Sequence, residues 1–167
     1  MSSIPPVQIR CATLEDLPAI NDIYNHYVVN STCTYQEETE TMHDRHAWFA
    51  AHGPAHPVMV AIEAGEVVGW ASLSPYHERA AYRHTVENSV YVAHTHHGRG
   101  IGRLLLQDLI DRAKSIGHHT IIAAIDGEQP LSISLHSKLG FKEVGLMREV
   151  GFKFGRWLDV YYLQLML

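Results

Sequence analysis

The stretch His97-Gly98-Arg99-Gly100-Ile101-Gly102-Arg103 decides how this chain is read, because of what stands on either side of it. Before it runs Val90-Tyr91-Val92, a strand-forming segment. After it, Ile101, Leu105, Leu109 and Ala113 recur at i+4 steps and Gly117 closes the series, which predicts a helix over 100–116. A strand, a glycine-rich turn and a helix start in that order build an anion site. The glycines let the backbone take positive φ and approach a ligand closely. The N–H groups of the first helical turn, at the positive end of the dipole, then receive a phosphate or pyrophosphate. Arg99 and Arg103 flank the turn and offer charge-assisted contacts.

Two other phosphate loops fit less well. A Walker A loop needs Gly-Lys-Ser/Thr, which is missing here. A dinucleotide-binding fold would use Asp126, at the end of the next strand, for a ribose. Its fingerprint, however, ends in glycine where this chain has Arg103, and the preceding chain lacks the repeated strand-helix-strand halves.

Outward from the turn, Val7 to Cys11 reads as a strand, and Thr13 with Asp16 as a capping box. That box opens a helix whose apolar face carries Leu17, Ile20, Ile23 and Tyr27. Residues 31–38 form a loop or a short helix, and Thr41 to His52 a helix stopped by Gly53-Pro54. Pro57 to Ile62 and Val67 to Leu73 make a hairpin, and Thr85 to Val92 a strand. Thr120 to Ile125 is almost wholly apolar, as in a strand buried on both faces. Ser132 to Leu139 is a short helix before Gly140. Strands at about 141–150 and 157–165 surround Phe154-Gly155-Arg156-Trp157. With no repeats or linkers, residues 1–167 are expected to form one mixed α+β domain.

Composition narrows the function. A net charge of −5 argues against a broad nucleic-acid or anionic-membrane surface, so anion binding must be local. Cys11 and Cys33 form neither a disulfide framework nor a metal spacing, and read as small buried hydrophobes in a reducing compartment. The opening Met-Ser-Ser-Ile-Pro-Pro has no basic segment followed by an apolar core, and no apolar run approaches a membrane span. A cytoplasmic protein is expected. His94, His96 and His97 cluster, with His118 and His119 further on, but no acidic or Cys partner stands at zinc spacing. They read as solvated loop histidines, and no metal is expected.

The block Val90 to Arg103 resembles the acyl-CoA pyrophosphate loop of the GNAT superfamily of N-acetyltransferases. Ala81-Tyr82-Arg83-His84-Thr85-Val86-Glu87, Leu135-His136-Ser137-Lys138-Leu139-Gly140-Phe141 and Gly151-Phe152-Lys153-Phe154-Gly155-Arg156-Trp157-Leu158-Asp159 narrow the resemblance to the phosphinothricin and methionine sulfoximine acetyltransferase branch. It extends from Ile9 to Leu165. Two positions depart from the pattern: His97 replaces a usual Gln or Arg, and Gln129-Pro130 stands where Asn is frequent.

The resemblance implies a central, mostly antiparallel sheet with one splayed strand pair, flanked by helices. It implies acetyl-CoA as cosubstrate, held by Val90, Tyr91 and Val92, by His97, Gly98, Arg99, Gly100, Ile101, Gly102 and Arg103, and by Gln129 and Ser132. Backbone groups of Val90 and Val92 would hold the pantetheine arm as an added strand, with the Val92 N–H facing the thioester oxygen. Glu87, in an apolar-rich strand, is the candidate general base through a water. His136 either assists proton transfer or is a satisfied helix histidine. Ala80, Ala81, Tyr82 and Arg83 are implied to meet the amino-acid acceptor, with Arg83 on its carboxylate or in a structural ion pair. Tyr35 and Trp157 are further pocket-wall candidates that would otherwise be core. Attack on the thioester is expected to be direct and the protein a homodimer. The alternatives are acetylation of another amine (a protein N-terminus, a polyamine, an aminoglycoside) or a non-catalytic acyl-CoA sensor.

Overall fold

A computed structural model describes residues 6–167; Met1–Pro5, most of the stretch read above for a leader, lies outside the described residues. Seven strands form one sheet in the order β1-β2-β3-β4-β5-β7-β6. They are β1 (Gln8–Cys11), β2 (Val58–Glu63), β3 (Glu66–Pro75), β4 (Thr85–Val92), β5 (Thr120–Asp126), β6 (Lys142–Lys153) and β7 (Arg156–Met166). Every neighbouring pair is antiparallel except β4 and β5. The mixed α+β expectation holds, and the one parallel pair is the one joined by the helix after the glycine turn.

Helices α1 (Leu17–Asn30) and α2 (Met42–Ala50) cover one face of the sheet. Leu17, Ile20 and Ile23 of α1 pack there on Val58, Val60 and Trp70. Helices α3 (Ile101–Ile116) and α4 (Pro130–Lys138) cover the other. The i+4 series of α3 is fully buried against Met59, Ala61, Ala71, Leu73 and Val86. Alternate residues of β2 and β3 therefore serve opposite cores, as the pleat requires. α3 sits very close to the sheet: a Cβ at Gly69 would stand 3.1 Å from Leu105 Cδ1. The Thr41–Asp44 and Thr13–Asp16 boxes both form at their helix starts.

Residues 31–38 form a loop, one of the two readings open for them, and side chains rather than backbone bonds order it, as described below. Several other expectations are corrected. β5 is not buried on both faces, because Ala124 is exposed where the sheet opens. Cys11 is exposed and Cys33 half-buried. His118 is not a solvated histidine: it is buried, with Nε2 2.7 Å from the Ala55 carbonyl. Among the described residues no helix is long and apolar enough to cross a membrane.

Because Leu105 is wholly buried where α3 meets β3, Leu105→Ala leaves a cavity that the tight helix-sheet contact cannot collapse. It is expected to lower the unfolding free energy by about 2–5 kcal/mol, measured by urea denaturation.

Candidate active site

The parallel ladder between β4 and β5 runs only from Thr85–Thr120 to Glu87–Ile122. Beyond it β4 stays with β3 as far as Val92, and β5 with β7 as far as Asp126, so their facing edges part. The opening is a cleft with two arms. One, of about 290 Å³, leads from the glycine turn along Val90–Val92 to Leu135 and His136. The other, of about 360 Å³, leads from Glu87 past Thr32–Tyr35 to Asp126, Val160 and Tyr162. They share Cys33, Val90, Tyr91, Gln129, Ser132 and His136 and so form one passage.

The first arm suits a diphosphate carrying an extended chain. Gly98 and Gly100 hold φ of 74° and 80°, a region that disfavours side chains. Leu104 N donates the first helical bond to Gly100 O (3.1 Å), which leaves the N–H groups of Ile101, Gly102 and Arg103 without helical partners. A Cβ at Gly102 would stand 3.3 Å from Leu135 Cδ2, so the bare backbone keeps the groove between α3 and α4 open. The β4 edge from Asn88 onward, unpaired on the β5 side, is a template for an added strand-like ligand. The residues present therefore fit coenzyme A.

Of the expected cofactor residues, Val90, Tyr91, Val92, His97, Gly98, Gly100, Ile101, Gly102, Gln129 and Ser132 line this arm. Arg99 and Arg103 do not. Arg99 Nη2 instead lies 2.6 Å from Glu63 Oε1, and His96 Nε2 3.5 Å from Glu63 Oε2. The Val92 carbonyl accepts the Tyr27 hydroxyl, and His97 Nε2 stands 2.6 Å from that hydroxyl. His94 stacks on His26 at 3.8 Å. No group of three or more metal-capable side chains forms among the described residues.

Glu87 is half-buried at the head of the second arm. Burial pushes its carboxyl above the usual range, and nearby His77 offsets part of the shift. That direction makes a better proton acceptor. His136 is buried and committed at both ring nitrogens. Nδ1 lies 2.8 Å from the Ser132 carbonyl, which only accepts, so Nδ1 carries the proton. Nε2 then accepts from Asn88 Nδ2 at 2.9 Å. Burial holds the ring below its ordinary pKa and therefore neutral. No ring nitrogen is left to take a proton from the acceptor. Among the described residues Asn88 Oδ1 is buried without a hydrogen-bond partner, on the cleft wall.

Tyr35 lines the second arm, as expected. Ala80, Tyr82 and Arg83 instead border a separate hollow of about 370 Å³ with His56, His77 and Arg79, and Ala81 borders neither. Arg83 Nη1 donates to the Ala80 carbonyl of its own turn (3.1 Å). Trp157 is exposed and packs edge-on against Phe152, outside the cleft. Sequence reasoning missed Thr32, Thr34, Asn88 and Tyr162 in the lining. Asn88 alone carried a signal, as an amide at a core-facing strand position. Cys33 reaches both arms despite its distance in sequence, and burial raises its thiol pKa, which disfavours a thiolate.

The acetyltransferase (GNAT) family profile matches residues 20–141. The chain belongs to the GNAT family. It is 45% identical over 159 residues to an L-methionine sulfoximine/L-methionine sulfone acetyltransferase of Pseudomonas aeruginosa, covering 94% of this chain and 92% of the relative. It is 39% identical over 164 residues to a phosphinothricin N-acetyltransferase of Streptomyces coelicolor, covering 96% of each. A putative acetyltransferase from Salmonella typhimurium, solved with its cofactor acetyl-CoA, superimposes with a TM-score of 0.93 at 42% identity. That match covers 96% of this chain and 94% of the other. This GNAT chain is thus an N-acetyltransferase that uses acetyl-CoA, and the sensor alternative is set aside.

Glu87→Gln is expected to lower kcat about 100-fold or more while calorimetry finds acetyl-CoA binding intact. In the wild type, kcat/KM should fall with decreasing pH through a limb lying above the ordinary carboxylate range, and the variant should lack that limb. The native carboxyl has the raised pKa, so its charge destabilises the fold as pH rises through that window. Thermal melting near neutral pH should therefore show the Gln variant more stable than wild type.

Proposed function

We propose that this enzyme acetylates the α-amino group of a small amino acid or analogue of the methionine sulfoximine, methionine sulfone or phosphinothricin kind. The observation that carries the reading is the half-buried Glu87 carboxyl at one end of a single passage whose other end is the glycine turn. The substrates that name the relatives support the choice of acceptor.

Bound acetyl-CoA supplies an activated acyl carbon. The first-turn amides of α3 hold the diphosphate, and the β4 edge holds the arm. Glu87 takes a proton from the acceptor ammonium through a water. The amine then attacks the acyl carbon directly, a C–N bond forms, and the Val92 N–H steadies the oxygen as charge develops there. The C–S bond breaks, and coenzyme A leaves as the thiol with the second proton that the newly bonded nitrogen gives up. Cys33 carries no acyl group at any stage. His136 acts as a neutral brace for Asn88 rather than as an acid or base, a role its two ring contacts favour.

We also assign a homodimer working in the cytoplasm without metal, nucleic acid or membrane. Val144, Met147, Val150, Phe152, Phe154 and Trp157 expose a run of apolar surface on the β6–β7 arm, which favours self-association. Two free thiols suit a reducing compartment, and the net charge of −5 disfavours nucleic acid.

One observation favours a second reading. The cleft lining includes Glu87 and Asp126 and no Arg or Lys, a charge pattern suited to a cationic acceptor such as a polyamine. Against it, Asp126 is already satisfied by Thr32, Tyr35 and the Glu128 N–H.

Release of coenzyme A thiol should be fastest with methionine sulfoximine, methionine sulfone or phosphinothricin in a panel that includes spermidine and an aminoglycoside. Turnover confined to the polycations would overturn the amino-acid reading. Light scattering should give twice the chain mass for the wild type, and Trp157→Glu should shift it toward one chain mass.

A further inference from the structure

The 31–35 segment walls the acceptor arm without regular structure of its own, and three contacts hold it. Thr32 Oγ1 and Tyr35 Oη donate to the two oxygens of buried Asp126 at 2.8 and 2.6 Å. Lys153 Nζ, reaching from β6, donates to the carbonyls of Ser31 (2.8 Å) and Thr34 (2.7 Å). The third contact has no side chain on one side. The Tyr35 ring lies against the bare backbone of Gly151, where a Cβ would stand 2.3 Å from Cε2 and 2.8 Å from Cδ2.

A bulge delivers Gly151 to this place. Met147 faces Val160 and Gly151 faces Leu158, so residues 148–150 of β6 oppose Asp159 alone. Glu149 takes φ of 53°, and its N–H donates to Asp159 Oδ1 at 2.8 Å, which fixes the extra residues. Gly151 is buried and lies behind the ring, while Tyr35 lines the arm. The ring therefore stands between the β6 backbone and whatever occupies the arm.

We propose that Gly151 is a specificity-determining position, which by lacking a side chain seats Tyr35 against β6 and leaves the acceptor arm its room for a substrate side chain. This rests on the reading that the acceptor amine enters beside Glu87. Gly151 touches no substrate and acts through Tyr35 as a positioning residue. Its φ lies outside the left-handed region, so alanine there brings no backbone strain and tests the space alone. A methyl group at 151 drives the ring off β6 into the arm and breaks its bond to Asp126.

The test compares wild type, Gly151→Ala, Tyr35→Ala and the double variant on α-amino acids of increasing side-chain length, from alanine through norvaline to methionine. Gly151→Ala should raise KM for the methionine-sized acceptor about ten-fold relative to alanine, and leave the acetyl-CoA Kd by calorimetry within about two-fold. In the Tyr35→Ala background the same change should do nothing further, since the ring it displaces is gone. An equal effect along the series, an effect that persists without Tyr35, or no effect at all would overturn the proposal. If the wild type binds acetyl-CoA but acetylates none of these acceptors, the amino-acid reading fails instead. A crystal structure of Gly151→Ala then still decides this inference, because a Tyr35 ring unmoved on Asp126 would refute it.

Discussion

Everything functional in this molecule follows from a parallel ladder that stops too soon. β4 and β5 are bonded only from Thr85–Thr120 to Glu87–Ile122, and then each keeps a different neighbour. A continued ladder would have filled the gap with backbone hydrogen bonds. Stopping it leaves strand-edge groups in want of partners in the interior of the sheet, between two strands that each keep a neighbour on the other side. Those groups, the glycine turn at one end and Glu87 at the other make a site from absent pairing rather than from added parts.

An opening of this kind collapses unless something holds its sides, and the props are polar. On one side Asp126 gathers Thr32, Tyr35 and a backbone N–H, while Lys153 clasps two carbonyls of the same segment. On the other, the Ser132 carbonyl fixes His136, which fixes Asn88. Fully satisfied networks of this sort give rigidity, whereas a half-satisfied one is costly. The exception, Asn88 Oδ1, is left unpaired on the cleft wall.

How much of this the sequence disclosed depended on whether local chemistry set the outcome. α3 was legible because Ile101, Leu105, Leu109 and Ala113 keep helical period and Gly117 ends it. The β2–β3 hairpin and the Thr13–Asp16 capping box were legible for the same reason: each is decided within a few residues. Glu87 could be picked out as a carboxylate in an apolar strand. The 31–38 segment could not be read, since what orders it are partners at 126, 151 and 153. The engagement of His136 Nε2 likewise depends on Asn88, 48 residues away. Arg83 and Arg99 are the opposite case: their charge invited a ligand role, and the partner each has in the structure, the Ala80 carbonyl or Glu63, carried no local signal.

The Glu63–Arg99 pair has a further effect on how the turn attracts its ligand. Glu63 is almost wholly buried, and its carboxylate cancels the one arginine positioned to give the turn a formal charge at its centre. Recognition then falls on oriented peptide dipoles at contact range, which dissolved ions screen far less than they screen separated surface charges. Capture of the nucleotide should accordingly be nearly indifferent to ionic strength: a short-range grip that works as well in concentrated electrolyte as in dilute.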